Sequence, residues 1–163
     1  MELVKIKDIP SKEDVKEVSL DNVIETFKIA QEMKELCRKE RGIGLSAVQV
    51  GIPLQLFVIK NENNEFDCYV NCRYENDLSS DIIMSLEGCL SIRSPVGQLR
   101  HFQVKRYKKI LLNGYVLDKK TTKFINVNDV TISLDQNSIV FAHEIDHQNG
   151  VLISDIGEEV FLH

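Results

Sequence analysis

The sequence predicts an α+β fold: a single domain of antiparallel or mixed β-strands packed around a central helix, with another helix near the N-terminus. Three observations carry that expectation. Apolar residues recur at helical spacing from Leu20 to Arg41, and helix end signals bracket Asp135 to Asn149; the stretch between them breaks into short β-rich runs; and polar turn residues separate those runs. The 163 residues fit one domain, and no repeat, linker or low-complexity tract divides them.

In the first helix Leu20, Val23, Ile24, Phe27, Ala30, Met33 and Leu36 or Cys37 make one apolar face. Ser19 or Asp21 is available as its cap, Arg38, Lys39 and Arg41 suit its C-terminal dipole end, and Gly42 stops it. The run from Leu54 to Ile59 reads as a strand, and Asn61 to Asn64 turn the chain into another around Phe66 to Val70. Further strands are expected at Asp81 to Leu86, Gln98 to Tyr107, Ile110 to Leu117 and Thr121 to Val127. Asp135 is a good N-cap and Gly150 a good terminator for the second helix.

A hydrophobic share of 43% with 28% charged residues excludes disordered and fibrous classes. No run approaches the roughly 18 apolar residues of a membrane span, and the N-terminal residues lack the apolar core of a secretory signal, so the expectation is a cytoplasmic protein without a membrane partner. Cys37, Cys68, Cys72 and Cys89 show no C-x-x-C spacing, which argues against a disulfide framework. The net charge of −5 argues against a dedicated nucleic-acid binder. Between Arg93 and Lys123, however, nine Lys and Arg stand against Asp118 alone, a local +8. The favoured reading is solvated strands whose lysines protect an edge; the alternative is a weak, salt-sensitive contact with RNA.

His143-Glu144-Ile145-Asp146-His147 matches H-E-x-x-H, and on a helix the two imidazoles at i and i+4 can grip one metal ion with Glu144 beside it. A hydrolytic metal site needs a third protein ligand and an open position for water. Downstream, Asp155, Glu158, Glu159 and His163 lack the spacing of the familiar zinc peptidases. Upstream, Cys89 follows Gly88, where backbone can come close to a ligand, although a lone cysteine is more often a small buried hydrophobe.

Three segments, Gly42-Ile43-Gly44-Leu45-Ser46-Ala47-Val48-Gln49, Glu87-Gly88-Cys89-Leu90-Ser91 and Ala142-His143-Glu144-Ile145-Asp146-His147, together resemble the ordered motifs G-φ-G-L-A-A-x-Q, E-G-C-L-S and Q-H-E-x-D-H of the peptide deformylases. The resemblance runs from the first helix to Asp155, with departures at Ser46 for Ala, Ala142 for Gln and Gln148 for Leu. It implies one divalent ion, Fe2+ natively with Zn2+, Ni2+ or Co2+ as substitutes, held by Cys89, His143 and His147. It also implies Glu144 as acid and base, Gln49 and the Leu90 N–H as donors to the developing oxyanion, and Ile43, Gly44 and Gly88 as substrate contacts. The implied substrate is the N-formyl-methionyl end of a newly made polypeptide; because such a chain emerges at the ribosome, the RNA alternative for the basic segment reads as a weak ribosome contact.

Other readings are weaker. Gly42-x-Gly44-x-x-Ala47 follows a helix rather than a strand, which disfavours a dinucleotide loop. Glu87 and Arg100 have the types for an ion pair steadying the Cys89 segment, with exposed, unrelated side chains an equal reading, and Cys68 with Cys72 reads as core. Two rival functions remain at this stage: an endopeptidase, and an inactive module that holds formylated N-termini or a structural zinc.

Overall fold

The computed structural model describes residues 1–162, so His163 lies outside the described residues. Helix α1 (Val23–Lys39) is followed by β1 (Gly44–Ser46), a 3-10 turn at Ala47–Val50, β2 (Leu56–Lys60), β3 (Phe66–Asn76), β4 (Ile82–Arg93), β5 (Leu99–Tyr107), β6 (Ile110–Asp118) and β7 (Lys123–Ile132). Helix α2 (Ser138–Gln148), a single turn α3 (Ile153–Ile156) and β8 (Gly157–Val160) complete the order. Five strands form one sheet in the order β1-β2-β3-β6-β7, and three form another, β4-β5-β8. Every ladder is antiparallel.

Helix α1 is shorter than its apolar pattern suggested. Asn22, not Ser19 or Asp21, caps it, and Thr26 returns its hydroxyl to the Asn22 carbonyl at 2.8 Å. Its inner face lays Ala30, Met33 and Cys37 on Leu45, Leu56, Val58, Phe66 and Val70. Strands β3 and β4 run further than expected because burial continues to alternate along them beyond the most β-prone residues. Strands β1 and β8 were not expected at all: one is three residues, the other four, too short for a periodic signal.

Helix α2 starts at Ser138 rather than Asp135. Asp135 sits in a preceding 3-10 turn, and Asn137 enters the helix in the left-handed region at φ 67°, which asparagine tolerates. Phe141 and Ile145 pack with Phe57, Tyr69, Ile110 and Leu112 of the larger sheet. On the far side His143 reaches β4 and Asp146 reaches β5. The helix is therefore the wedge between the two sheets, as the sequence predicted, and Gly150 ends its turn at φ 74°.

The basic segment does not form a free cationic patch. Five of its nine Lys and Arg have carboxylate partners: Arg93 with Glu40, Arg100 with Glu159, Arg106 with Glu87 and Asp146, Lys108 with Asp81, and Lys119 with Glu65 and Asp67. Lys105, Lys109, Lys120 and Lys123 carry what is left. Among the described residues no helix is long and apolar enough to cross a membrane.

Candidate active site

The ligand atoms of Cys89, His143 and His147 lie within 4.8 Å of one another, and all three residues are buried. Cys89 arrives from a break in the β4–β5 ladder: Gly88 faces His101 and Arg93 faces Leu99, so residues 89–92 oppose Arg100 alone. That bulge swings the thiol inward, where Sγ stands 3.3 Å from His147 Nε2. Successive turns of α2 supply the imidazoles, whose ring centres are 4.9 Å apart. A thiolate and two imidazoles suit a borderline-soft divalent ion. The structure fits such an ion independently of the sequence match, because His143 Nδ1 is occupied by Glu87 Oε2 at 2.8 Å, leaving Nε2 for the cluster.

Glu87 is the hub of a buried polar network. Arg106 donates to both its carboxylate oxygens, at 2.8 and 3.0 Å, and to Asp146 Oδ2 at 2.6 Å, while the Tyr74 hydroxyl donates to Asp146 Oδ1 at 2.9 Å. Burial works against the Glu87 charge, but His143 and Arg106 beside it hold its carboxyl below the usual range. The expected partner Arg100 is instead turned outward onto Glu159 of β8, at 2.6 Å. Arg106, Asp146 and Tyr74 were missed in the sequence; Arg106 shares the inward parity of Phe102 and Val104 along β5, but so does Arg100, and parity alone does not separate them.

Burial lifts the Glu144 carboxyl to about 7, with His143 opposing and Glu87 and Asp146 adding to the rise. A group poised there accepts and returns a proton near neutrality. Burial also works against a charged His143, but Cys89 and Glu87 outweigh it and raise its pKa to about 10, whereas burial and the neighbouring His143 and Arg106 drive His147 well down.

Gln49 is fully enclosed. Its Oε1 accepts the Ser46 N–H at 2.9 Å, and its Nε2 lies 2.9 Å from Ser91 Oγ and 3.5 Å from Cys89 Sγ, so its N–H edge points at the cluster. Gly44 faces Glu144 so closely that a Cβ there would overlap the carboxylate. A cleft of about 330 Å³ opens beside these groups, lined by Ile43 and Gly44, by Leu86, Gly88 and Leu90, and by Ile139. The structure thus brings together every residue singled out in the three motifs. Of the rejected ligands, Glu159 is bound by Arg100 and Asp155 accepts the Leu152 N–H at 2.8 Å.

The comparisons match this geometry. The polypeptide deformylase family model covers residues 1–159. The chain belongs to that family. A peptide deformylase of Rhodopirellula baltica is 33% identical over 80% of this chain and 61% of its own length, and one of Buchnera aphidicola is 34% identical over 83% and 74%. A solved peptide deformylase of Synechococcus elongatus in complex with actinonin superposes with a TM-score of 0.77 at 27% identity, covering 97% of this chain and 79% of that one. The α+β architecture is the deformylase fold, and the family is one of metal-dependent hydrolases that remove formyl groups. The Cys–His–His cluster is where this chain offers the divalent metal its place.

Proposed function

We propose that residues 1–163 act as one catalytic domain, a cytoplasmic peptide deformylase that hydrolyses the N-formyl group of formyl-methionyl polypeptides and releases formate. The observation that carries the proposal is the convergence of the Cys89, His143 and His147 ligand atoms beside a buried carboxylate, Glu144, at the floor of an open cleft. An inactive binding module has no use for a carboxylate raised towards neutrality by burial next to such a cluster. Family membership disfavours both that reading and an endopeptidase.

Cys89, His143 and His147 would hold the ion, Fe2+ natively, with Zn2+, Ni2+ and Co2+ acceptable to the same donor set. When bound, the ion supplies Lewis acidity, which brings a water's pKa towards neutrality and polarises the formyl carbonyl. Glu144 takes a proton from the attacking water as its oxygen adds to the formyl carbon. The Gln49 side-chain amide and the Leu90 N–H donate to the oxygen that becomes negative, and removing one such donor costs about 3 kcal/mol in transition-state stabilisation. Glu144 then returns its proton to the amine nitrogen as the carbon–nitrogen bond breaks. Ile43, Gly44 and Gly88 bring backbone from the two sheet edges to the lips of the cleft, positions suited to hold an extended peptide.

Formate release from a formyl-Met peptide by metal-loaded protein, with and without chelator, tests the activity. Cys89→Ser should lose metal while Cys72→Ser keeps it; equal loss from Cys72→Ser and none from Cys89→Ser would overturn the ligand assignment. A weak ribosome contact would rest on Lys105, Lys109, Lys120 and Lys123. Reversing those four charges should then reduce co-sedimentation with ribosomes at low salt, and unchanged sedimentation leaves the segment as edge protection.

A further inference from the structure

The two donors assigned to the developing oxyanion come from different parts of the chain. Gln49 lies in the turn after β1, and the Leu90 N–H belongs to the bulge that carries Cys89 on β4. The ladders alone do not fix one against the other. Register along β4 jumps from Gly88 opposite His101 to Arg93 opposite Leu99, so residues 89–92 lack residue-for-residue partners. Arg93, the first residue back in register, spans that gap with its side chain. Its Nε donates to the Leu90 carbonyl at 3.0 Å, its Nη1 to the Gly97 carbonyl at 3.1 Å and its Nη2 to Glu40 Oε2 at 2.8 Å. One planar guanidinium thus ties together the bulge, the tip of the β4–β5 hairpin and the end of α1.

The end of α1 is the right anchor for this purpose. Glu40 is the C-cap of the helix, and the chain continues through Arg41, at φ 57°, to Gly42 and the segment that ends in Gln49. The junction is packed as well as bonded: a Cβ at Gly42 would lie 2.8 Å from Leu90 Cδ1 and 2.9 Å from Cys37 Sγ. Further along, Gln49 Nε2 meets Ser91 Oγ at 2.9 Å. Leu90 is therefore held at two points, its side chain by Gly42 and its carbonyl by Arg93. Its N–H is aimed accordingly, and Cys89, one peptide away, shares the constraint. The Arg93 and Glu40 side chains are 33 and 27% exposed, so their ion pair alone contributes little; the two carbonyl bonds are what the guanidinium fork adds.

We infer that Arg93 is a positioning residue for this site, holding the Cys89–Leu90 segment, with its thiolate ligand and its oxyanion donor, in fixed register with the end of α1 and so with Gln49. The inference rests on the deformylase reading. Arg93 belongs to neither the ligand cluster nor the lining of the cleft, so its effect travels through Leu90 and falls on the chemical step, not on how peptide is bound.

Three variants test it, with cobalt(II) as a probe that needs no turnover. In Arg93→Ala, kcat for a formyl-Met peptide should fall about 10- to 100-fold with KM within about two-fold; cobalt affinity, measured by chelator competition, should fall by a similar factor and the thiolate-to-cobalt absorption should weaken. Arg93→Lys should lose nearly as much, because an ammonium cannot reach both carbonyls and Glu40 at once. Being conservative at a partly exposed site, it also keeps the test open if Arg93→Ala does not fold. Glu40→Gln, which leaves the carbonyl bonds in place, should stay within about three-fold of the unaltered protein. Added methylguanidinium should restore kcat and the absorption to Arg93→Ala in part and leave the unaltered protein as it was. A lower unfolding midpoint with kcat and the cobalt absorption unchanged would overturn the inference by showing a purely structural role. A loss confined to KM would overturn it by making Arg93 a substrate contact, and an Arg93→Lys equal to the unaltered protein would reduce the brace to charge. If even the unaltered protein releases no formate, the proposed activity fails alone, and cobalt affinity and absorption still decide the brace.

Discussion

The two faces of α2 meet opposite environments. Phe141 and Ile145 lie in an apolar cluster with Phe57, Tyr69, Ile110 and Leu112, where Tyr69 meets the Phe141 ring edge-on at 4.9 Å. On the opposite face, His143, Glu144, Asp146 and His147 are equally buried or nearly so, among Glu87, Arg106 and Cys89. The apolar face fixes where the helix lies and tolerates modest reshaping. The polar face is affordable only because its charges are paired, and removing one partner strands another. Stability and chemistry are thus carried by the same eleven residues on different sides.

This contrast can be broken from either side. Under the proposed assignment Glu144→Gln should keep the metal and the fold but lose about 10²- to 10⁴-fold in turnover, since the amide preserves shape and cannot take the water's proton. Metal content and formate release measured on the same sample decide it, and a near-native rate would remove Glu144 from the acid–base role. Arg106→Ala should cost about 3–5 kcal/mol by leaving Glu87 and Asp146 buried without their cation, and should weaken metal binding about 10- to 100-fold through the loosened His143. Denaturant unfolding and competitive metal titration read the two effects. Phe141→Ala should cost a similar 3–5 kcal/mol in unfolding yet leave metal affinity within about two-fold, because the cavity opens on the side away from the cluster. A loss of affinity as large as that of Arg106→Ala would erase the distinction between the faces. Tyr74→Phe is the mildest: it removes one hydrogen bond to Asp146, worth about 1 kcal/mol, and sharpens the comparison by showing how far the network extends.

The buried cysteines repeat the lesson at smaller scale. Cys37, Cys68, Cys72 and Cys89 are all 5% exposed or less. Burial pushes the thiols of Cys37, Cys68 and Cys72 up to about 12, fit for packing and unfit for binding. Cys89 differs in having two imidazoles and the Gln49 amide around it. Company, not burial, makes a ligand.

What the sequence disclosed follows from the range of each interaction. Helical periodicity located α1 because a packed face repeats every turn, end signals at Asp135 and Gly150 bracketed α2, and H-E-x-x-H could be recognised because both imidazoles sit on one helix. Gly88 beside Cys89 offered a third candidate ligand, but only the resemblance singled it out, since Cys89 is brought in by a ladder break more than fifty residues upstream. Of the two readings of Glu87 and Arg100, the ion pair does not form: Arg106 takes that place. Both arginines lie on the same parity of β5, and only the cross-strand register, with Phe102 opposite Glu87 and β8 beside Arg100, decides which one turns inward. The local +8 dissolved for the same reason: its partners Glu40, Glu65, Asp67, Asp81, Glu87, Asp146 and Glu159 are distant in sequence and close in space.

Gly44, held against the Glu144 carboxylate, has a bearing on how this chain can vary. It is only partly buried, and a substitution matrix built on exposure would not rate it a core position. Any side chain there, even a methyl, must displace the carboxylate beneath it, so the position would behave in a saturation library like the centre of a core while folding assays reported little wrong. The map of what this protein tolerates and the map of what it exposes therefore part company at the lip of the cleft, and libraries meant to alter substrate choice are better directed to Ile43 and Leu86 on either side of it.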